Sequence, residues 1–167
     1  MKVEKLLSKV DRSPKRSMID ALRPSMRALI KDGLSKHSDV DVKVAVASCI
    51  SEITRITAPG APYDDNQMRL IVSTFEGLAD QSSRSYAKRA SILETASKVR
   101  SCVIMLDLEC DALKSVRDYH LDSVFPSMGS IMVLVIEESE EIPVEMLKPL
   151  LAHVKKDNTV RGLRHLY

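Results

Sequence analysis

Ser38-Asp39-Val40-Asp41-Val42-Lys43-Val44-Ala45-Val46-Ala47-Ser48-Cys49-Ile50-Ser51-Glu52-Ile53 is the stretch that decides the fold. Ser38 or Asp39 can accept hydrogen bonds from the free backbone N–H groups that open a helix. Asp41 then falls in the first turn, where the helix macrodipole favours negative charge. Val42, Val46, Cys49 and Ile53 recur at i, i+4, i+7 and i+11, which lays them along one helical face. Ala45 and Ala47 keep the inner face small.

The same template returns twice. Tyr86, Ala90, Leu93 and Ser97 occupy it after a Ser82-Ser83 cap, with Ser97 as the polar misfit beside Ala96. Val124, Met128, Ile131 and Val135 occupy it a third time. Starting points at Val42, Tyr86 and Val124 give offsets of 44 and then 38 residues, around the ~40–47 of HEAT and armadillo units. Shorter outer helices are expected between them, from Asn66 to Ala79 and from Pro143 to Val154. The fold class is therefore all-α, a HEAT-repeat α-solenoid of about three hairpins stabilised by stacking. An ordinary bundle of three amphipathic helices is the alternative that periodicity leaves open. A matching cap, a first-turn Asp and a small inner face favour repeats.

Upstream, Val3, Leu6, Leu7 and Val10 form one apolar face. Ser13-Pro14 has the form of an N-cap followed by proline in the first turn, which opens a helix running to Ile30. Met18, Leu22, Met26 and Leu29 supply its buried side, Pro24 should kink it, and Gly33 should cap its C-terminus.

Composition agrees with a helical, soluble core. The 167 residues are 44% hydrophobic and 29% charged, with five Gly, two Phe and no Trp, which disfavours an all-β domain. Net charge is +2, so nothing global points to nucleic acid or membrane. Cys49, Cys102 and Cys110 have no zinc spacing, and an odd number argues against a secreted disulfide frame. No run approaches the ~18 apolar residues of a membrane span, and no signal peptide is visible; a reducing, intracellular setting is expected.

Three strings carry a family resemblance: HSDVDVKVAVASCISEITRITAPGAPYDD (His37 to Asp65), SSRSYAKRASILETASKVRSCVIMLDLECDAL (Ser82 to Leu113) and VFPSMGSIMVLVIEESEEIPVEML (Val124 to Leu147). They closely resemble the N-terminal region of the cohesin-associated HEAT protein called precocious dissociation of sisters protein five, particularly its plant forms. The resemblance spans roughly Ser13 to Asp157. It implies a nuclear, non-enzymatic scaffold that binds the cohesin ring through its kleisin subunit. It also implies binding of a Wapl-type releasing factor and of the cohesin acetyltransferase. Such a protein tunes sister chromatid cohesion and, in plants, recombination repair.

The family's APDAP loop is matched by Ala58, Pro59, Gly60, Ala61 and Pro62, followed by Tyr63. In the family this loop belongs to a surface that receives short peptide motifs, so these six residues are the candidate partner-binding site. Two prolines fix φ and withhold donors, so the segment ends a helix and stays semi-rigid. A stiff corner can offer carbonyls and Tyr63 to a peptide at little ordering cost. On residues alone, a helix-terminating linker is the favoured reading, and it is the resemblance that turns the balance to a binding surface. Gly60 departs from the family motif by losing a carboxylate and adding freedom. The stretch after Leu113 is two to three turns shorter than the family's, at ~3.6 residues per turn. Part of the Val124–Ile136 face should therefore be left exposed. Residues 1–156 are expected to form the helical domain and 157–167 a divergent tail.

Other features have plainer readings. From Met1 to Lys36, ten Lys or Arg face four acids, including Lys9, Arg12, Lys15, Arg16, Arg23 and Arg27. No aromatics interleave them, so bases have no stacking platform and direct DNA binding is not expected. Glu137-Glu138-Ser139-Glu140-Glu141 ends a helix with negative charge, which opposes the dipole and should fray it or bend it into the Ile142-Pro143 turn. The methionines fit gap-filling core roles. Cys49 should be an inert buried thiol, and none of the four histidines sits in a local signature with a cysteine. No catalytic, metal or cofactor site is expected. The competing functions are a generic α-solenoid adaptor without a cohesin role and, more remotely, a basic nucleic-acid binder.

Overall fold

A computed structural model describes residues 2–99 and 124–138. Among them there are seven α-helices and no strand: α1 Lys2–Leu7, α2 Arg16–Leu29, α3 Asp32–Ser35, α4 Val40–Thr57, α5 Asp65–Ser73, α6 Tyr86–Val99 and α7 Phe125–Glu138. A 3-10 helix, Phe75–Ala79, follows α5. The inner helices α4, α6 and α7 lie in a row. α4 packs most extensively on α6, α6 also on α7, and α7 has no comparable contact with α4. That shingled order is the solenoid arrangement, with each hairpin resting on the next.

α4 starts as its sequence dictates. The Asp39 side chain accepts from the Asp41 N–H at 2.8 Å, and Asp41 lies in the first turn. The helix is then buried nearly all round rather than along one stripe. From Val44 to Ser51 every residue is buried, followed by Ile53, Thr54 and Ile56. α1, α2 and α3 cover one side while α5 and α6 cover the others, so Ala45, Ala47, Ser48 and Ser51 act as close-approach positions. Val42, placed first in the expected stripe, is only half-buried. Thr54 and Thr57 turn their hydroxyls back to the carbonyls of Ile50 and Ile53, at 3.0 and 2.9 Å, which satisfies both groups inside the helix.

The first outer helix is interrupted where one continuous element from Asn66 to Ala79 was expected. It begins with a capping box, in which the Asp64 carboxylate accepts from Gln67 N–H (2.9 Å) and Gln67 Oε1 from Asp64 N–H (3.2 Å). Met68, Ile71 and Val72 face the core. The α-helix stops at Ser73, and just past its end buried Arg89, reaching across from α6, donates Nη1–H to the Thr74 carbonyl at 2.7 Å. Beyond that point the chain tightens into the 3-10 turn, burying Phe75 and Leu78. Gly77 leaves room there for the Arg89 guanidinium, into which a Cβ would press. Burial lowers the Arg89 pKa, while Asp41 and Glu76 act in the opposite sense.

In α6 the buried residues are Arg89, Ile92, Leu93 and Ala96, whereas Tyr86, Ala90 and Ser97 of the expected stripe are half-buried. The helix opens directly after Ser85. Ser83 receives the Ser85 N–H on its hydroxyl at 3.4 Å, and Ser82 closes a turn on Asp80, so the Ser82-Ser83 pair stands one turn upstream of a cap. In the third stripe Val124, Met128 and Ile131 are buried, as is Leu134, and Val133 is exposed. The Val135 side chain, the outer helix 143–154, the 139–141 portion of the acidic run with the turn after it and the tail 157–167 lie outside the described residues.

The N-terminal elements correct three expectations. α2 begins at Arg16 with Lys15 as a cap that makes no side-chain bond, and Ser13 is used elsewhere. Met18 is exposed at 44%, leaving Leu29 as the buried residue of α2. Gly33 is not a cap: Ile30 ends α2 in a right-handed conformation, Lys31 is extended, and Gly33 lies inside the short helix α3. Pro24 lies inside α2 without ending it.

Candidate functional site

The Pro-rich corner follows directly from how α4 ends. Ala58, the C-cap, turns to φ −55°, ψ 137°, the Ala58–Pro59 peptide is cis, and Gly60 N–H returns to the Thr57 carbonyl at 2.9 Å. Four residues later Asp64 caps α5. The corner is thus fastened to a helix terminus on both sides.

The six predicted residues divide into three groups. Pro59, Gly60 and Ala61 form an exposed tip, Ala58 and Pro62 are half-buried shoulders, and Tyr63 is an anchor only 5% exposed. The expectation that Tyr63 is displayed to a ligand is therefore corrected: its ring belongs to the core that holds the corner. Burial, with a smaller effect from Cys49, pushes the Tyr63 phenol well above its ordinary range. Its hydroxyl has no hydrogen-bond partner among the described residues. What the corner can offer a ligand is a fixed, proline-braced tip with backbone carbonyls. At Gly60 a Cβ would sit 3.1 Å from the Thr57 oxygen, so an Asp there requires a shift of a few tenths of an ångström.

Two long-range contacts brace the corner from below, and neither was legible as such. Ser13, at φ 54°, donates its backbone N–H to the Ile56 carbonyl (3.0 Å) and its hydroxyl to the Ala58 carbonyl (3.1 Å). Arg55 donates through Nη2 to the carbonyls of Leu7 (3.1 Å) and Val10 (2.8 Å), satisfying the open end of α1, while its Nε pairs with Glu52 at 2.8 Å. Further along α4, Ser48 donates to Glu4 at 2.8 Å, and Lys88 of α6 pairs with the same carboxylate at 2.8 Å. Glu4 therefore bridges α1, α4 and α6. Burial acts to raise its pKa, but the bonds from Lys88 and Ser48 outweigh that and hold it below the ordinary 4.5.

Cys49 is fully buried, and burial, with the Glu4 charge adding to it, pushes its thiol to about 11, so it is protonated at neutral pH. No group of three or more His, Cys, Asp or Glu among the described residues could hold a metal ion. No helix among them is long and apolar enough to cross a membrane.

A row of stacked hairpins, a nearly fully buried inner helix and a braced rim corner define a HEAT-type solenoid scaffold. The chain belongs to the family described as sister chromatid cohesion protein PDS5 protein, whose model matches residues 1–162. It is similar to PDS5 homolog C of Arabidopsis thaliana, with 63% identity over 92% of this chain and 19% of that protein. PDS5 homolog E of the same plant is 49% identical over 93% of this chain and 17% of that protein. The PDS5 of Saccharomyces cerevisiae is 31% identical over 72% of this chain and 10% of that protein. Among solved structures, a Pds5–Scc1 complex superposes with a TM-score of 0.72 at 29% identity, covering 87% of this chain and 24% of that one. The chain spans less than a fifth of the length of these curated relatives.

Proposed function

We propose that the chain is a non-enzymatic, cohesin-associated scaffold of sister chromatid cohesion, acting in the nucleus. The observation that carries this is 63% identity to a sister chromatid cohesion protein across 92% of the chain. Its partners in this reading are the kleisin subunit of cohesin, a Wapl-type releasing factor and the cohesin acetyltransferase, with recombination repair as a downstream role. The exposed tip Pro59–Ala61, with Ala58 and Pro62 beside it, receives a short peptide motif from a regulator, while Tyr63 keeps the corner in place. A braced corner loses little conformational entropy on binding, which favours short motifs that supply few contacts.

The test is a titration of this chain with labelled peptides from the releasing factor and the acetyltransferase, alongside Pro59→Ala, Pro62→Ala and Gly60→Asp. Saturable binding weakened about ten-fold by either Pro→Ala change supports the reading. Binding that is absent, or indifferent to all three changes, removes the corner as the site. Recovery of cohesin subunits from nuclear extract separates this role from that of a generic solenoid adaptor.

A further inference from the structure

Ser13 is the one non-glycine residue with positive φ among the described residues, and it is the clasp of the Pro-rich corner. It lies in the irregular segment 11–15 between α1 and α2, exposed to solvent, within the run Arg12-Ser13-Pro14-Lys15-Arg16. Proline directly after a serine and a basic residue three positions on are what a proline-directed serine kinase selects. Pro14 supplies the first and Arg16 the second. Arg12, Lys15 and Arg16 are exposed and form no ion pair among the described residues, so they are available to an acidic kinase cleft. Residues 11–15 lie outside any helix and Arg16 is the first residue of α2, so the segment can extend into such a cleft at the cost of that helix's first turn at most.

We propose that Ser13 is a phosphorylation site whose modification opens the clasp on the Ala58–Tyr63 corner. The Ser13 Oγ attacks the γ-phosphorus of ATP, the bond from that phosphorus to the β-phosphate oxygen breaks, ADP leaves, and the hydroxyl proton passes to the kinase's base. The modified side chain loses the donor that now meets the Ala58 carbonyl at 3.1 Å. In its place stand phosphate oxygens, which only accept at neutral pH, carrying a charge of about −1.5 to −2. They would face the carbonyls of Ile56 and Ala58 at the C-terminal end of α4, where the helix dipole is already negative. Repulsion there and attraction to the neighbouring Arg12, Lys15 and Arg16 act in the same direction. Ser13 swings out and the corner loosens.

The effect on regulator binding rests on the reading of the corner given above; phosphate incorporation and loosening do not. The experiment treats the whole chain with ATP and a cyclin-dependent kinase, maps phosphate by peptide mass spectrometry, and follows amide exchange over residues 56–64. One phosphate on Ser13 is expected, abolished in Ser13→Gly, a residue that fits the positive φ without strain. Exchange at Gly60, the corner amide bonded to the Thr57 carbonyl, should quicken about five-fold, the size set by one lost hydrogen bond, with residues 44–54 unchanged. The Ser13→Gly chain without kinase should show a smaller quickening of the same amide. Failure to phosphorylate Ser13 in a chain of native helicity overturns the proposal, as does a phosphorylated chain with unaltered exchange. If the corner loosens but labelled regulator peptides bind neither form, the modification stands and the peptide-binding reading falls.

Discussion

α2 and α4 are both helices of more than a dozen residues, yet only one of them carries the fold. α4 buries eleven of its eighteen residues, and α2 buries Leu29 alone. Their sequences differ accordingly. α2 is a sharply amphipathic helix with Pro24 inside it and a paired Arg23–Asp20 on its surface, whereas α4 is apolar or small almost throughout. A helix buried all round must be covered on every side, which explains why α1, α2, α3, α5 and α6 all converge on α4. α2 is one of those covers. The two regions therefore respond to damage on different scales.

The largest expected effect is in the inner helix. Ile53→Ala removes a fully buried side chain and should destabilise the chain by about 2–5 kcal/mol in chemical denaturation, against less than about 1 kcal/mol for half-buried Leu22→Ala in α2. Similar losses from the two would break the comparison. Next comes Gly77→Ala, which drives a Cβ into the Arg89 guanidinium and should cost about 1–3 kcal/mol. In the Arg89→Ala background the same change should cost much less, so the two substitutions are strongly non-additive. Additive losses would show that Gly77 is needed for another reason.

Arg55→Ala should cost about 1–3 kcal/mol by leaving the Leu7 and Val10 carbonyls without this donor. It should also expose the segment before α2 to protease while α4 stays protected. The smallest effect is in pH dependence. Glu4 has a lower pKa folded than unfolded, so its contribution is present above the ordinary value of 4.5 and is lost as pH falls through the folded value. Glu4→Gln should lower stability near pH 7, where that contribution is present, and flatten the fall in stability as pH drops below about 4.5. A steeper acid slope in the variant would contradict the assigned direction.

What the sequence made legible was local and apolar. The Asp39 cap, the first-turn Asp41, the row of inner helices and the buried Val124, Met128 and Ile131 all follow from 3.6-residue periodicity and capping chemistry. What escaped depends on polar groups that meet across long separations. Ser13 looks like an N-cap in isolation, and only the fold brings it 45 residues along the chain to Ala58. Arg89 and Arg55 look like solvated charges until a helix end with open carbonyls is placed beside each. Tyr63 beside two prolines looks like a displayed ring, but the turn that Pro59 and Pro62 enforce directs it inward. The position of the corner was readable, and its internal division was not.

Amide hydrogen exchange along the unmodified chain is the most direct test of α4 as the helix on which everything else rests. Exchange should be slowest in residues 44–56, faster in α6 and faster still in α2, with Gly60 protected by its bond to Thr57. Protection in α2 equal to that in α4 would contradict that role for α4.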